Sequence, residues 1–173
     1  MTIYLLGLRG SGKTTAGRLL ARRLGVAFVD LDDLTPGLLG GASAAEVLRA
    51  HGEPAFRRAE RAALDLPVVR GAGVVSLGGG TPTAPGAGDE LRQRALAGDW
   101  LIYLRASAPV LRSRLAATNL ADRPSLTAAG VLDEIESLLR ARDPIYRALA
   151  RAVIEVDGLT PEETADRIER LAR

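Results

Sequence analysis

Apolar residues gather along the chain in five short runs: IYLL at Ile3–Leu6, VAFVD at Val26–Asp30, GVVSL at Gly73–Leu77, WLIYL at Trp100–Leu104 and AVIEV at Ala152–Val156. The first four are nearly continuous rather than alternating. That is the pattern of strands buried on both faces, as in a parallel sheet covered by helices. Longer segments at helical spacing lie between them. Lys13–Leu24 sets Leu19, Leu20 and Leu24 on one side and Arg18, Arg22 and Arg23 elsewhere, and it ends in cations followed by Gly25. Ser43-Ala-Ala-Glu46 and Thr160-Pro-Glu-Glu163 are capping-box patterns, the second with Pro161 at the first helical position. Val131–Leu149 and Pro161–Leu171 read as amphipathic helices. TPGLLGG and GGGTPTAPGAG read as loops. The polar stretch Ala117–Gly130 has no clear period and reads as a candidate mobile flap.

Strands alternating with helices predict an α/β fold, three layers α/β/α around a five-stranded parallel sheet. No internal repeat is visible. At 173 residues the chain is long enough for one domain with a substantial core, spanning 1–173.

Composition narrows the function classes. The 23 basic residues nearly balance 21 acids and are dispersed among them, which reads as solvated helix faces rather than a nucleic-acid surface. Aromatics are only 3%, too few for stacking platforms on single strands. Without cysteine there are no disulfides, thiolate nucleophiles or thiolate zinc sites. The first apolar run is too short for a secretory signal and lacks a basic region before it, and no run reaches the ~18 residues of a membrane helix. The expectation is a cytoplasmic protein with no nucleic-acid or membrane partner. No exposed apolar seam stands out, so a monomer is expected.

One feature of composition points to chemistry. The chain has 22 arginines and a single lysine, Lys13, within GLRGSGKTT. Gly7-x-x-x-x-Gly12-Lys13-Thr14 matches the P-loop pattern, and it lies after one strand and before one helix, as that pattern requires. Such a loop wraps so that successive N–H groups point at phosphate oxygens, and the helix N-terminus adds positive charge. Arg9, Gly10, Ser11, Gly12, Lys13 and Thr14 are therefore candidate ATP-binding residues. Lys13 would reach the β- and γ-phosphates, and the Thr14 hydroxyl would sit on Mg²⁺. Arginine and lysine exchange readily on a helix surface, but a planar guanidinium is too wide for a point charge inside a backbone loop.

The second strand ends FVDLDD, placing Asp30, Asp32 and Asp33 at the carboxyl edge, where doubly wound sheets bind ligands. One acid there can hold a water on Mg²⁺ and another can accept a hydroxyl proton. Helix capping by Asp32 or Asp33 is the competing reading. In HGEPAFRRAE, Arg57 and Glu60 share a helix face. The third strand runs into Gly78, Gly79 and Gly80, whose bare backbone suits an arriving carboxylate or hydroxyl.

With these residues in order, the chain resembles shikimate kinase, of the nucleoside-monophosphate-kinase-like branch of P-loop proteins. GLRGSGKT, DLD, GEPAFRRAE, SLGGG, DRP and RDPIY carry the likeness over essentially the whole chain. The resemblance implies transfer of the ATP γ-phosphate to the 3-hydroxyl of shikimate, with Mg²⁺. It implies Asp32 on the shikimate hydroxyls as candidate base, and Asp30 in the water shell of Mg²⁺. Arg57 and Arg142 would take the shikimate carboxylate, helped by Gly79. Arg123 would be a lid arginine over the phosphates, and Arg114 and Pro161 would enclose adenine. Three departures stand out. Pro36, Gly37, Gly40 and Gly41 predict a short or broken helix after Asp32. Leu48 stands where the family commonly has an aromatic residue. The stretch between Arg114 and Arg123 is about two residues longer than usual, and the loop before Pro161 is shorter. Two other classes stay open on the residues: a kinase of another polyol acid, gluconate-like, and a nucleotide-binding regulatory module without turnover.

Overall fold

The computed structural model describes residues 1–117 and 134–172. Its strands are β1 (Ile3–Leu6), β2 (Phe28–Asp30), β3 (Val74–Ser76), β4 (Trp100–Arg105) and β5 (Ala152–Glu155). All pair in parallel, in the order β2-β3-β1-β4-β5. The expected sheet is therefore present, with β2 and β3 each shorter than their apolar runs. Those two pair over only three residues, from Phe28↔Val74 to Asp30↔Ser76, and Val26 is instead held by its N–H on the Ala21 carbonyl at the end of the preceding helix.

Helices α1 (Lys13–Leu24), α2 (Leu31–Leu34), α3 (Ala44–Ala63), α4 (Pro67–Arg70), α5 (Ala87–Leu96), α6 (Ala108–Ala116), α7 (Ile135–Leu149) and α8 (Pro161–Leu171) flank the sheet. The buried residues form one continuous core. Leu5, Leu6, Val74, Val75, Leu101 and Ile102 on the strands meet Leu20, Leu91, Leu111, Tyr146 and Ile168 on the helices. The Thr160 cap forms as a full capping box with Glu163. At α3, Ser43 accepts from the Glu46 N–H, but the Glu46 carboxylate reaches back to Ala42 N–H rather than to Ser43. α3 is kinked at Gly52, whose φ of 77° and ψ of 166° lie in a region open only to glycine.

The glycine- and proline-rich pieces differ from expectation. TPGLLGG holds a 3-10 turn at Pro36–Leu39, and the second piece holds another at Thr81–Thr83 before α5 begins at Ala87. The segment after Asp32 is thus a four-residue helix and a 3-10 turn, short as Pro36 and the glycines predict. No helix among the described residues is long and apolar enough to cross a membrane.

The strand order fixes where a ligand can enter. From β1 the chain crosses to β2 on one side of the sheet, and from β3 it crosses over β1 to β4 on the other. A crevice opens above the carboxyl ends of β1 and β3, the switch point at which such sheets bind ligands.

Candidate active site

Two loops rise from that crevice: residues 7–12 from β1 and the three glycines from β3. They touch. A Cβ placed on Gly79 would lie 3.5 Å from Arg9 N and 3.6 Å from the Gly7 carbonyl. Around them is a cleft of about 860 Å³, lined by the phosphate-type loop, Asp30, Asp32 and Asp33, Arg57 and Glu60, Gly79 and Gly80, Arg114, Arg142 and Pro161. Described residues from across the sequence that were expected in one site are brought to one cavity, except Gly78, which is buried and outside its lining, packed close to Asp32, Glu60 and Thr81. Leu48 lines it as well, at the wall where an aromatic residue was the family expectation.

The loop over residues 7–12 has the expected geometry. Gly12 caps α1 with φ 96°, a left-handed conformation that lets the chain turn into the helix without a side-chain cap. The first turn of α1 contains no acid. Its N–H groups and the helix dipole therefore face the cleft with no carboxylate of their own turn against them. Lys13 is 7% exposed, and its Nζ donates to the Gly7 and Leu8 carbonyls at 2.9 and 3.1 Å. The ammonium is thus inside the loop, at the scale that only a narrow cation fits.

Beside the loop, Thr14 Oγ1 donates to Asp30 Oδ2 at 2.6 Å. Asp30 Oδ1 also accepts from the Asp32 N–H at 3.1 Å, so Asp30 caps α2. The competing role for Asp32 or Asp33, helix capping, belongs to neither of them. β3 separates β2 from β1 in the sheet, yet Asp30 still reaches the phosphate loop through Thr14. A hydroxyl and a carboxylate are hard oxygen donors of the kind Mg²⁺ accepts, usually one or two from protein with phosphate and water completing the shell. This pair fits that ion. Among the described residues no group of three or more His, Cys, Asp or Glu could hold a metal by itself.

Asp32 is exposed to the open cleft, with protein crowded around its base. Desolvation by that crowding raises its carboxyl. Lys13 and Arg9 oppose the rise, and Asp30 and Asp33 add to it. Water in the open cleft still reaches the carboxylate, so the rise is fullest when an acceptor molecule displaces that water.

Arg57 is pinned from two sides. Its Nη1 donates to Glu60 Oε2 at 2.6 Å and its Nη2 to Glu53 Oε1 at 2.8 Å. Burial works against the cation, and the two carboxylates outweigh it, so Arg57 is held more firmly protonated. Glu60 is 2% exposed and also accepts from Thr81 Oγ1 at 3.1 Å. Burial raises its carboxyl despite Arg57 and Thr81. Arginine does not give up its proton, so its charge stands against Glu60 at neutral pH and opposes that rise. The glycine triplet makes this approach possible. A Cβ on Gly80 would lie 1.8 Å from Arg57 Nη1, and one on Gly78 would lie within 3 Å of Asp32 Oδ1 and Glu60 Oε1. The triplet thus leaves room for side chains as well as for a ligand.

On the opposite wall, Arg142 Nη1 donates to the Gly79 carbonyl at 3.1 Å, and Tyr146 OH donates to the same oxygen. Sequence reasoning did not single out Tyr146, although it closes the RDPIY motif one turn after Arg142. Arg114 spans the far side of the phosphate loop, with Nη1 3.4 Å from the Gly10 carbonyl and Nη2 donating to Val156 O at 3.2 Å. Arg123 and the expected flap, apart from Ala117, lie outside the described residues.

Comparison with known proteins agrees with this geometry. A family model described as shikimate kinase matches residues 9–172. A shikimate kinase from Rhodopirellula baltica is 38% identical over 98% of this chain and 89% of its own length. Among solved structures, a shikimate kinase from Acinetobacter baumannii in complex with shikimate superposes with a TM-score of 0.87 at 32% identity, covering 98% of this chain and 91% of that one. A shikimate kinase from Bacteroides thetaiotaomicron gives a TM-score of 0.82 at 30% identity, covering 99% and 97%.

Proposed function

The chain belongs to the shikimate kinase family, and from that premise we propose how its cleft moves the γ-phosphoryl group of ATP to the 3-hydroxyl of shikimate. The observation that carries the reading is the contact of the two loops. A phosphate cradle and a carboxylate-and-arginine pocket share one wall, Gly79 against Gly7 and Arg9. Donor and acceptor can therefore be held in line without a large movement between them.

In this reading the N–H groups from Arg9 to Thr14 bind the phosphates and Lys13 meets the β- and γ-oxygens. Arg114 and Pro161 flank the adenine. Arg57 and Arg142 receive the planar carboxylate of shikimate as forks, a geometry lysine cannot supply. Gly79 and Gly80 let the ring approach the backbone, and Gly78 makes room for Asp32 and Glu60. Asp32 accepts a hydrogen bond from the 3-hydroxyl and takes its proton as the oxygen bonds to the γ-phosphorus. The bond from that phosphorus to the β–γ bridging oxygen breaks, and ADP leaves. Charge in this transition state spreads over the phosphoryl oxygens, where Lys13 and, from the sequence motif, Arg123 would meet it. Thr14 directly and Asp30 through water would hold Mg²⁺, which supplies charge neutralisation at the phosphates when bound. The reaction belongs to the cytoplasm in this reading, as a step of aromatic amino acid biosynthesis.

The test is a coupled assay for ADP with Mg-ATP. Release is expected only when shikimate is added. Equal release with gluconate, or none with either acid, would overturn the assignment.

A further inference from the structure

Tyr146 lies one helical turn beyond Arg142 on α7, so both side chains leave the same face. Its ring is fully buried and packs edge-on against Tyr103, with centroids 5.0 Å apart. Tyr103 in turn donates to Asp143 at 2.9 Å, and Arg105 and Arg147 donate to that same carboxylate at 2.9 and 2.7 Å. α7 is thereby clamped to β4. The Tyr146 hydroxyl and Arg142 Nη1 converge on one acceptor, the Gly79 carbonyl, which lies more than sixty residues away in sequence. Two donors occupy both lone pairs of that oxygen and so fix the plane of the peptide between Gly79 and Gly80. A trans peptide carries its N–H on the opposite edge, and both glycines line the cleft.

We propose that Tyr146 is a positioning residue of the acceptor pocket: by holding the Gly79 carbonyl it sets, together, the guanidinium of Arg142 and the peptide of Gly80 that face the acceptor carboxylate. This rests on the functional reading above. Tyr146 touches no reacting atom and acts through its two neighbours. Phenylalanine at this site would fill the same space against Tyr103 and remove only the second donor. Burial pushes the phenol up to about 12, Arg142 opposes that rise, and the group stays a donor throughout the pH range in which the enzyme would be assayed.

The experiment is Tyr146→Phe, in the full chain, with both substrates varied. The KM for shikimate is expected to rise about three- to tenfold, the scale of one hydrogen bond, while the KM for ATP stays within about twofold. Repeated in an Arg142→Ala background, the same change should raise the KM for shikimate by a smaller factor, because coupled residues are not additive. An unchanged KM for shikimate overturns the proposal, whether or not the melting temperature falls. So does an equal rise for both substrates, or the same factor with and without Arg142. These outcomes are read against wild-type turnover. A wild-type enzyme that does not phosphorylate shikimate refutes the functional reading and this inference with it. Normal wild-type turnover with an unaltered variant refutes the positioning role alone.

Discussion

Asp32 shows what one side chain can cost and supply. Crowding by protein raises its carboxyl, modestly because the open cleft wets it, so the folded state binds this proton more tightly than the unfolded chain does. Between the unfolded and folded pKa values the native protein holds the extra proton, and stability therefore falls as pH rises through that window. Above the folded pKa the full cost of keeping Asp32 ionised is present, and below the unfolded value it is absent. The ionised form is the one that can take a proton. Asp32→Asn is expected to lower kcat by about 10²–10⁴-fold, the usual weight of a general base. Because water in the open cleft screens this exposed carboxylate, the same change should raise the melting temperature at neutral pH only slightly, with the gain fading as pH falls through the acid range. Thermal scans at several pH values measure this. A variant less stable than wild type at neutral pH would show that Asp32 is not strained in the fold.

At the level of elements, continuous apolar runs made the strands legible, because a strand buried on both faces has little room for polar residues. The helix over Lys13–Leu24 was legible to the residue, and so was the capped start of α8. The 3-10 turns at Pro36–Leu39 and Thr81–Thr83 were not, since turns of four and three residues in glycine- and proline-rich sequence leave no period to read. Within the site, Lys13, Thr14, Asp30, Asp32, Arg57 and Arg142 stood in local motifs. Tyr146 stood in the RDPIY motif too, but its role was not legible, because its partner on Gly79 is distant in sequence and no spacing announces it. The cap on α2 went to Asp30 although Asp32 and Asp33 were equally plausible on residue type. The kink in α3 belongs to the same scale. Gly52 separates the half that carries Leu48 from the half that carries Arg57. Gly52→Ala would place a Cβ at φ 77° and is expected to cost about 1–3 kcal/mol. It should lower the melting temperature and raise the KM for shikimate more than that for ATP. Equal effects on both substrates would mean that the kink does not shape the acceptor side.

Across the whole molecule, the proposed acceptor pocket is assembled from parts that meet only in the finished fold. Asp32 comes from α2, Arg57 from α3, Gly79 and Gly80 from the end of β3, and Arg142 from α7. A ligand that joins all of them should brace the fold. Shikimate at a hundred times its Kd would add about 2.7 kcal/mol to stability, or about 5–10 °C in melting temperature for a chain of this size. At the same shikimate concentration Arg57→Ala should show much less of the shift, with the shift from ATP kept. A full shikimate shift in that variant would remove Arg57 from the carboxylate's partners.

The bias toward arginine has a further consequence. With 22 arginines and one lysine, the molecule carries a single ε-amine, and the loop encloses it within hydrogen-bond distance of two of its own carbonyls. Reagents that acylate or condense with side-chain amines normally meet a crowd of targets on a protein surface. Among the side chains they have one address here, and it is the amine that the phosphates of ATP would meet.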